Sequence, residues 1–239
     1  RHVHYVRGGH SVSFYSCKGH PGRALFPLPT DPKLSDDDRA DGRLRQEMRG
    51  LGVHRASGRV LCRPFHQFWR LSQRAEQRRH EAAALVRGGA PHMLLEDLDG
   101  TTVHAFILDE RLFLATRTGR TRPVLDAEER LRGADCAGVR ALCTRAIRAG
   151  YTPLLKHRAA RGAGPPLVVA ALRHRQCGAY LPYAQLRELA RCHSAPLVPC
   201  VATWAATDEL RAMHGTADAE TTLKAVGAQM RSAAARASG

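Results

Sequence analysis

Two β-rich runs, Thr102–Leu108 and Arg111–Thr116, lie two residues apart across Asp109-Glu110. So short a gap leaves no room for a crossover, and the runs must pair antiparallel as a tight hairpin. Asp-Glu is a weaker turn than Asn-Gly, so the flanking strands carry this expectation. Around the hairpin, Arg59–Phe65 reads as a strand leading into Phe68-Trp69, and Gln73–Val86 as a charged helix closed by Gly88-Gly89. Asp126–Ala149 reads as one helix ending at Gly150, and Leu167–Leu172 as a buried strand. Pro182–Cys192 reads as an amphipathic helix with Leu186, Leu189 and Ala190 inward, and Leu197–Val201 as a further strand. The acidic run Asp36-Asp37-Asp38 falls in an expected polar loop. These elements predict an α+β fold with antiparallel sheets and flanking helices. Three regions are expected: an N-terminal extension over 1–30, a globular domain over 31–204 and an Ala-rich helical tail over 205–239.

The charge narrows the partner. The formal net charge is +15, and of 37 basic residues only Lys18, Lys33, Lys156 and Lys224 are lysines. Arginine offers a planar two-pronged donor set that matches phosphate, so the balance points to a nucleic acid or nucleotide. The seven cysteines are scattered with no CxxC, which argues against a disulfide framework and for a reducing, cytoplasmic setting. No apolar run of about 18 residues is present to span a membrane, and no signal peptide is expected.

The informative stretch runs from Arg49 to Gly119. It contains Arg49-Gly50, then Arg63-Pro64-Phe65 at the end of a strand, then Asp97-Leu98-Asp99-Gly100-Thr101. The hairpin follows and ends in Arg117-Thr118-Gly119. A second block runs from Gly150-Tyr151-Thr152 through Leu167–Ala171 and Arg173 to Gly178-Ala179-Tyr180-Leu181 and the helix after it. In order and spacing these pieces resemble the bacteriophage-type, ATP-dependent RNA ligases, over roughly residues 23–202. Their pattern is an Arg-Gly, a strand ending in Arg-Pro-Phe, a Lys-x-Asp-Gly-Ser and a hairpin closed by a basic residue and Gly.

The resemblance implies the nucleotidyltransferase fold (the ATP-grasp-like ligase adenylation domain), with ATP and Mg²⁺ as cofactors and RNA ends or nicks as partner. It assigns nucleotide or phosphate contacts to Arg49, Gly50, Arg63, Asp99, Gly100 and Arg117. In that chemistry a lysine amine attacks the α-phosphorus of ATP, and the AMP passes to an RNA 5′-phosphate before a 3′-hydroxyl displaces it. Here the pattern breaks. Asp97 occupies the place of the nucleophilic lysine, and Lys156 that of a glutamate that contacts the ribose. After residue 202 no Glu-Gly-apolar strand and no Lys-x-Lys strand is found; Thr221–Ala225 does not supply them. The exchange of charges leaves two readings open: Asp97 and Lys156 form an ion pair in a dead enzyme, or Lys156 is a displaced nucleophile that must still reach attack geometry. A third possibility is a non-catalytic basic RNA-binding module on the same fold.

Other constellations carry less. His174-x-x-Cys177 with Cys192-His193 has zinc-binding atoms, but the spacing matches no common site. Asp37-x-Arg39-x-Asp41-Gly42 resembles the start of a calcium loop, yet the twelfth position is Met48 rather than a glutamate. Phe65, Phe68 and Trp69 are expected to pack in the core rather than stack on a base.

Overall fold

The computed structural model describes residues 2–7, 10–17, 32–68, 92–158 and 164–204. The chain divides into two units, a larger one over 1–27, 33–67 and 98–198 and a smaller one over 28–32, 68–97 and 199–239. The expected helix over 73–86, Trp69 and the tail from Ala205 lie outside the described residues.

The larger unit is built on two antiparallel sheets. The first joins β1 (His2–Arg7), β2 (His10–Ser16), β3 (Arg49–His54) and β4 (Val60–Cys62) in that order. Residues 1–30, expected as an extension, thus supply two of its strands, and Val12 and Phe14 of β2 are fully enclosed. Between β2 and β3 comes α1 (Asp36–Glu47), where a polar loop was expected. Ser35 explains the difference. Its hydroxyl accepts from the Asp38 N–H while Asp38 reaches back to the Ser35 N–H, a reciprocal cap. The acidic run therefore sits at the positive end of a helix dipole, where its charge is stabilising.

The second sheet has the order β7-β6-β8-β9, with β6 (Thr101–Leu108), β7 (Arg111–Ala115), β8 (Tyr151–His157) and β9 (Leu167–His174). The expected hairpin is present, with Phe106 opposite Phe113 and Leu108 opposite Arg111. Asp109 (φ 49°) and Glu110 (φ 54°) both adopt left-handed backbone, as a two-residue type I′ turn requires.

Both faces of this sheet are covered. Val103, Ala105 and Leu114 meet α2 (Arg122–Arg132), α3 (Ala137–Arg148) and α4 (Tyr183–Cys192) in the main core with Leu142, Leu155 and Leu186. On the other face Phe106, Leu108, Phe113 and Ala115 meet Val12, Phe14, Leu61 and Cys62 of the first sheet. Phe14 and Phe106 cross edge-on at 5.8 Å. Enclosing such a ring is worth about 1.5–3 kcal/mol, so double coverage explains why these strands read as nearly continuous apolar runs.

The helix expected over Asp126–Ala149 is two helices. Gly133 adopts extended backbone (φ −63°, ψ 159°), and a 3-10 turn over Ala134–Cys136 redirects the chain into α3. In the smaller unit, β5 (His92–Leu95) pairs antiparallel with β10 (Cys200–Trp204). The last expected strand therefore lies three residues later than Leu197–Val201 predicted; Leu197 makes an isolated bridge to Val169 instead. Among the described residues no helix is long and apolar enough to cross a membrane.

Candidate functional site

Arg49 opens β3, and Gly50 follows with φ +96°. A Cβ on Gly50 would stand 2.5 Å from Cα of Arg117, so only glycine lets β3 close on the segment after β7. Ser16 locks the same approach by donating from its hydroxyl to the Arg117 carbonyl. Arg49 is half-buried and donates to the Gln67 amide oxygen. Burial, and then the neighbouring positive charge of Arg117, push the Arg49 pKa down. Two guanidinium groups are thus held close enough to repel, an arrangement that an anion would relieve.

The turn that presents Arg117 is braced from behind. Thr116 and Gly119 exchange backbone hydrogen bonds at 2.9 Å. Arg120 then grips Glu128 of α2 with both nitrogens, at 2.7 and 2.6 Å, and its guanidinium lies over the rings of Tyr5 and Phe113. Glu128 also accepts from the Leu114 N–H at 2.7 Å. Arg117 itself is exposed at the tip.

The register of the second sheet places the next residues. Thr102 lies opposite Lys156, and His104 lies opposite both Leu154 and Ala115. Side chains alternate along a strand, so Lys156, Thr102, His104 and Phe106 share the face turned to the first sheet. β7 ends at Ala115, two residues before the Thr102–Lys156 row, and Arg117 emerges there. Gly100 begins this edge with φ +129°; its missing Cβ would meet the His157 carbonyl oxygen at 2.3 Å. Asp99 beside it is exposed. Leu98, just before, is anchored with Val168, Val198 and Tyr183. Asp97 is exposed and ends the 68–97 segment of the smaller unit.

Arg63 stands elsewhere, in a cluster that the sequence did not reveal. Its Nε donates to Glu47 at 2.8 Å and its Nη1 to the carbonyls of Arg175 and Gln176. Glu47 shares its other oxygen with Arg173 at 2.7 Å. Arg173 is 3% exposed and also donates to the carbonyls of Gly178 at 2.9 Å and Pro64 at 2.6 Å. Tyr180 lies beneath the Arg173 guanidinium, stacks on Phe65 and bonds His66 Nδ1 at 2.9 Å. The cluster ties the Arg63-Pro64-Phe65 segment to β9. Phe65 is half-buried against Tyr180 rather than enclosed in the core, and Phe68 is exposed. The one available signal was Arg173 itself, a charge ending an otherwise apolar strand.

His104 was also missed. It is 2% exposed, its Nε2 has no hydrogen-bond partner among the described residues, and burial pushes its pKa down to about 3. Among the described residues no three His, Cys, Asp or Glu side chains come together to hold a metal ion.

The chain can be set beside known proteins on this geometry. No protein-family model matches it. Over 116 residues it is 29% identical to a curated protein of Thermovibrio ammonificans named "Putative RNA ligase"; the match covers 48% of this chain and 29% of that protein. Two solved forms of an archaeal ATP-dependent RNA ligase superpose with TM-scores of 0.52 and 0.51, each at 16% identity, covering 89% and 88% of this chain. A structure named as a putative ATP-dependent DNA ligase from Aquifex aeolicus superposes with a TM-score of 0.51 at 13% identity. The chain spans 52% of each of these solved chains. Its fold is that of the ligase-type nucleotidyltransferases, and the resemblance to the RNA ligases drawn from the motifs is borne out.

Proposed function

We propose that this chain is the nucleotidyltransferase part of an RNA-joining ligase whose self-adenylation step is lost. The reading rests on the Arg49-Gly50 pair and Arg117, far apart in sequence and held together at the edge where the Thr102–Lys156 row begins. The two guanidinium groups suit a phosphate of ATP or of an RNA 5′ end, and the glycine allows the approach. ATP would supply the adenylyl group. A protein-held Mg²⁺ has no cluster of donors to support it among the described residues.

Asp97 is the reason for lost adenylation. A carboxylate cannot form the phosphoramidate that a lysine forms, and its charge repels the triphosphate. The test is incubation of the full chain with α-labelled ATP, followed by acid and base treatment of the precipitated protein. No stable adduct is expected, while Asp97→Lys alone gives partial labelling at most. Robust labelling of the unchanged chain would refute the reading; if Lys156→Ala then abolished it, Lys156 would be the displaced nucleophile. RNA binding indifferent to ATP, with no labelling of either form, would support the non-catalytic binding module instead.

A further inference from the structure

An exposed thiol and an imidazole meet where β9 ends. The turn is closed by the Gly178 N–H donating to the His174 carbonyl at 3.0 Å, and the His174 N–H donating to Ala179 at 2.8 Å. Cys177 sits on its outer side with Sγ 3.2 Å from His174 Nδ1. The backbone N–H of Cys177 donates to the same Nδ1 at 3.3 Å. A backbone N–H can only donate, so Nδ1 carries a lone pair, and the thiol must be the donor in its contact. The Tyr151 ring meets the imidazole edge-on at 5.3 Å and holds its orientation. A proton acceptor is therefore already aligned on an accessible thiol.

The other cysteines lack this combination. Cys62 and Cys143 are enclosed, and burial pushes their thiols up to about 12. Cys136 is buried, and Cys17 and Cys200 are half-buried. Cys192 is exposed, but its thiol faces the Glu188 carboxylate at 3.7 Å, whose charge opposes an anionic sulfur. The Cys177 turn holds the Arg63 and Arg173 guanidinium groups by its carbonyls, and Arg175 within it reaches the Ile147 carbonyl. Glu47 offsets only part of that charge, so an anionic reagent is drawn to the turn.

We propose that Cys177 is a modification site for anionic low-molecular-weight disulfides, with His174 as the proton acceptor. The thiol proton passes from Sγ to Nδ1. Sγ then attacks one sulfur of the disulfide, the S–S bond breaks, and the other half leaves as a thiolate carrying the electron pair. Cys177 ends oxidised in a mixed disulfide, the leaving half ends reduced, and the proton is released from the imidazolium to water. The adduct forms on the turn whose carbonyls hold Arg63, which couples the thiol to the Glu47 cluster.

The experiment uses the full native chain and a sub-stoichiometric amount of dithiobis(nitrobenzoate), a dianionic disulfide, with cystamine as the cationic comparator. The released thiolate gives the rate, and peptide mass mapping locates the adduct. Cys177 should be modified first, and Cys177→Ser should remove the fast phase while Cys192→Ser keeps it. His174→Gln should slow the phase about tenfold at neutral pH and make its rate rise more steeply with pH. Normalised to a short cysteine peptide, the dianionic reagent should be favoured over cystamine. A first adduct on another cysteine would overturn the proposal. So would a rate and pH profile unchanged in His174→Gln, checked for folding by circular dichroism and against His174→Asn. Equal normalised rates for the two reagents would overturn the anionic class.

Discussion

Replacing Glu47 by glutamine keeps the shape of the side chain and removes its charge, at the centre of the cluster that ties Arg63-Pro64-Phe65 to β9. The carboxylate serves two guanidinium groups with unequal access to water. The Arg63 side chain is 20% exposed and recovers hydration, so its loss is small. The Arg173 side chain is 4% exposed and keeps two carbonyls and the face of the Tyr180 ring, but no counter-charge, around a full positive charge. Breaking a buried pair from one side costs about 3–5 kcal/mol; glutamine's remaining oxygen and the 25% exposure of Glu47 reduce this to about 2 kcal/mol. With a urea dependence of about 2 kcal/mol per molar, the unfolding midpoint should fall by roughly 1 M at pH 7. Adding Arg173→Met should recover part of the loss, because the uncompensated charge leaves with it. Burial pushes the Glu47 carboxyl up, but the hydrogen bonds and charges of Arg173 and Arg63 prevail and hold it below its ordinary 4.5. A carboxyl depressed by folding stabilises the chain above its unfolded value, and that contribution disappears as pH falls from about 4.5 through the folded value. The gap between wild type and variant should therefore close in acid. Equal midpoints at pH 7, or a gap that persists below the folded value, would refute this account of the cluster.

Three further outcomes follow from the same structure. His104 is held neutral by burial, with its pKa pushed from 6.5 to about 3, so the unfolded chain binds the extra proton as pH falls below about 6.5. Stability should decline across that window and decline less in His104→Leu, read by thermal unfolding at stepped pH. Gly50→Ala would place a Cβ 2.5 Å from the Arg117 backbone at φ +96° and should cost more than about 2 kcal/mol in a urea titration, while Gly58→Ala, with open space around it, should cost less. Single-stranded RNA should bind with a log–log salt slope of about −0.7 per phosphate contact, and Arg117→Glu should lower affinity and slope more than Arg236→Glu in a filter-binding titration. Binding insensitive to salt would count against a phosphate-contacting surface.

Some of this molecule is local and therefore legible in sequence. The β6–β7 hairpin follows from two β-rich runs with no room between them, and α4 follows from a starting proline and the spacing of its apolar residues. The Arg-Gly, Arg-Pro-Phe and Asp-x-Asp-Gly segments announced the ligase-type fold because each is a short backbone requirement: a left-handed glycine or a fixed strand end. The capped start of α1 was legible too, in Ser35 and Asp38, but the acidic run obscured it. What only tertiary structure decided is which charges meet. Glu47, Arg63 and the Arg173–Tyr180 turn come from three separate segments, and Arg120 meets Glu128 only because α2 packs behind β7. Neither association leaves a periodic trace along the chain. His104 is polar in sequence yet buried in fact, because its neighbours across two sheets, rather than its own strand, exclude water. Hydrogen bonds within the chain fix strands and caps over a few residues; desolvation depends on everything that closes around a side chain, and that is set only when the sheets and helices come together.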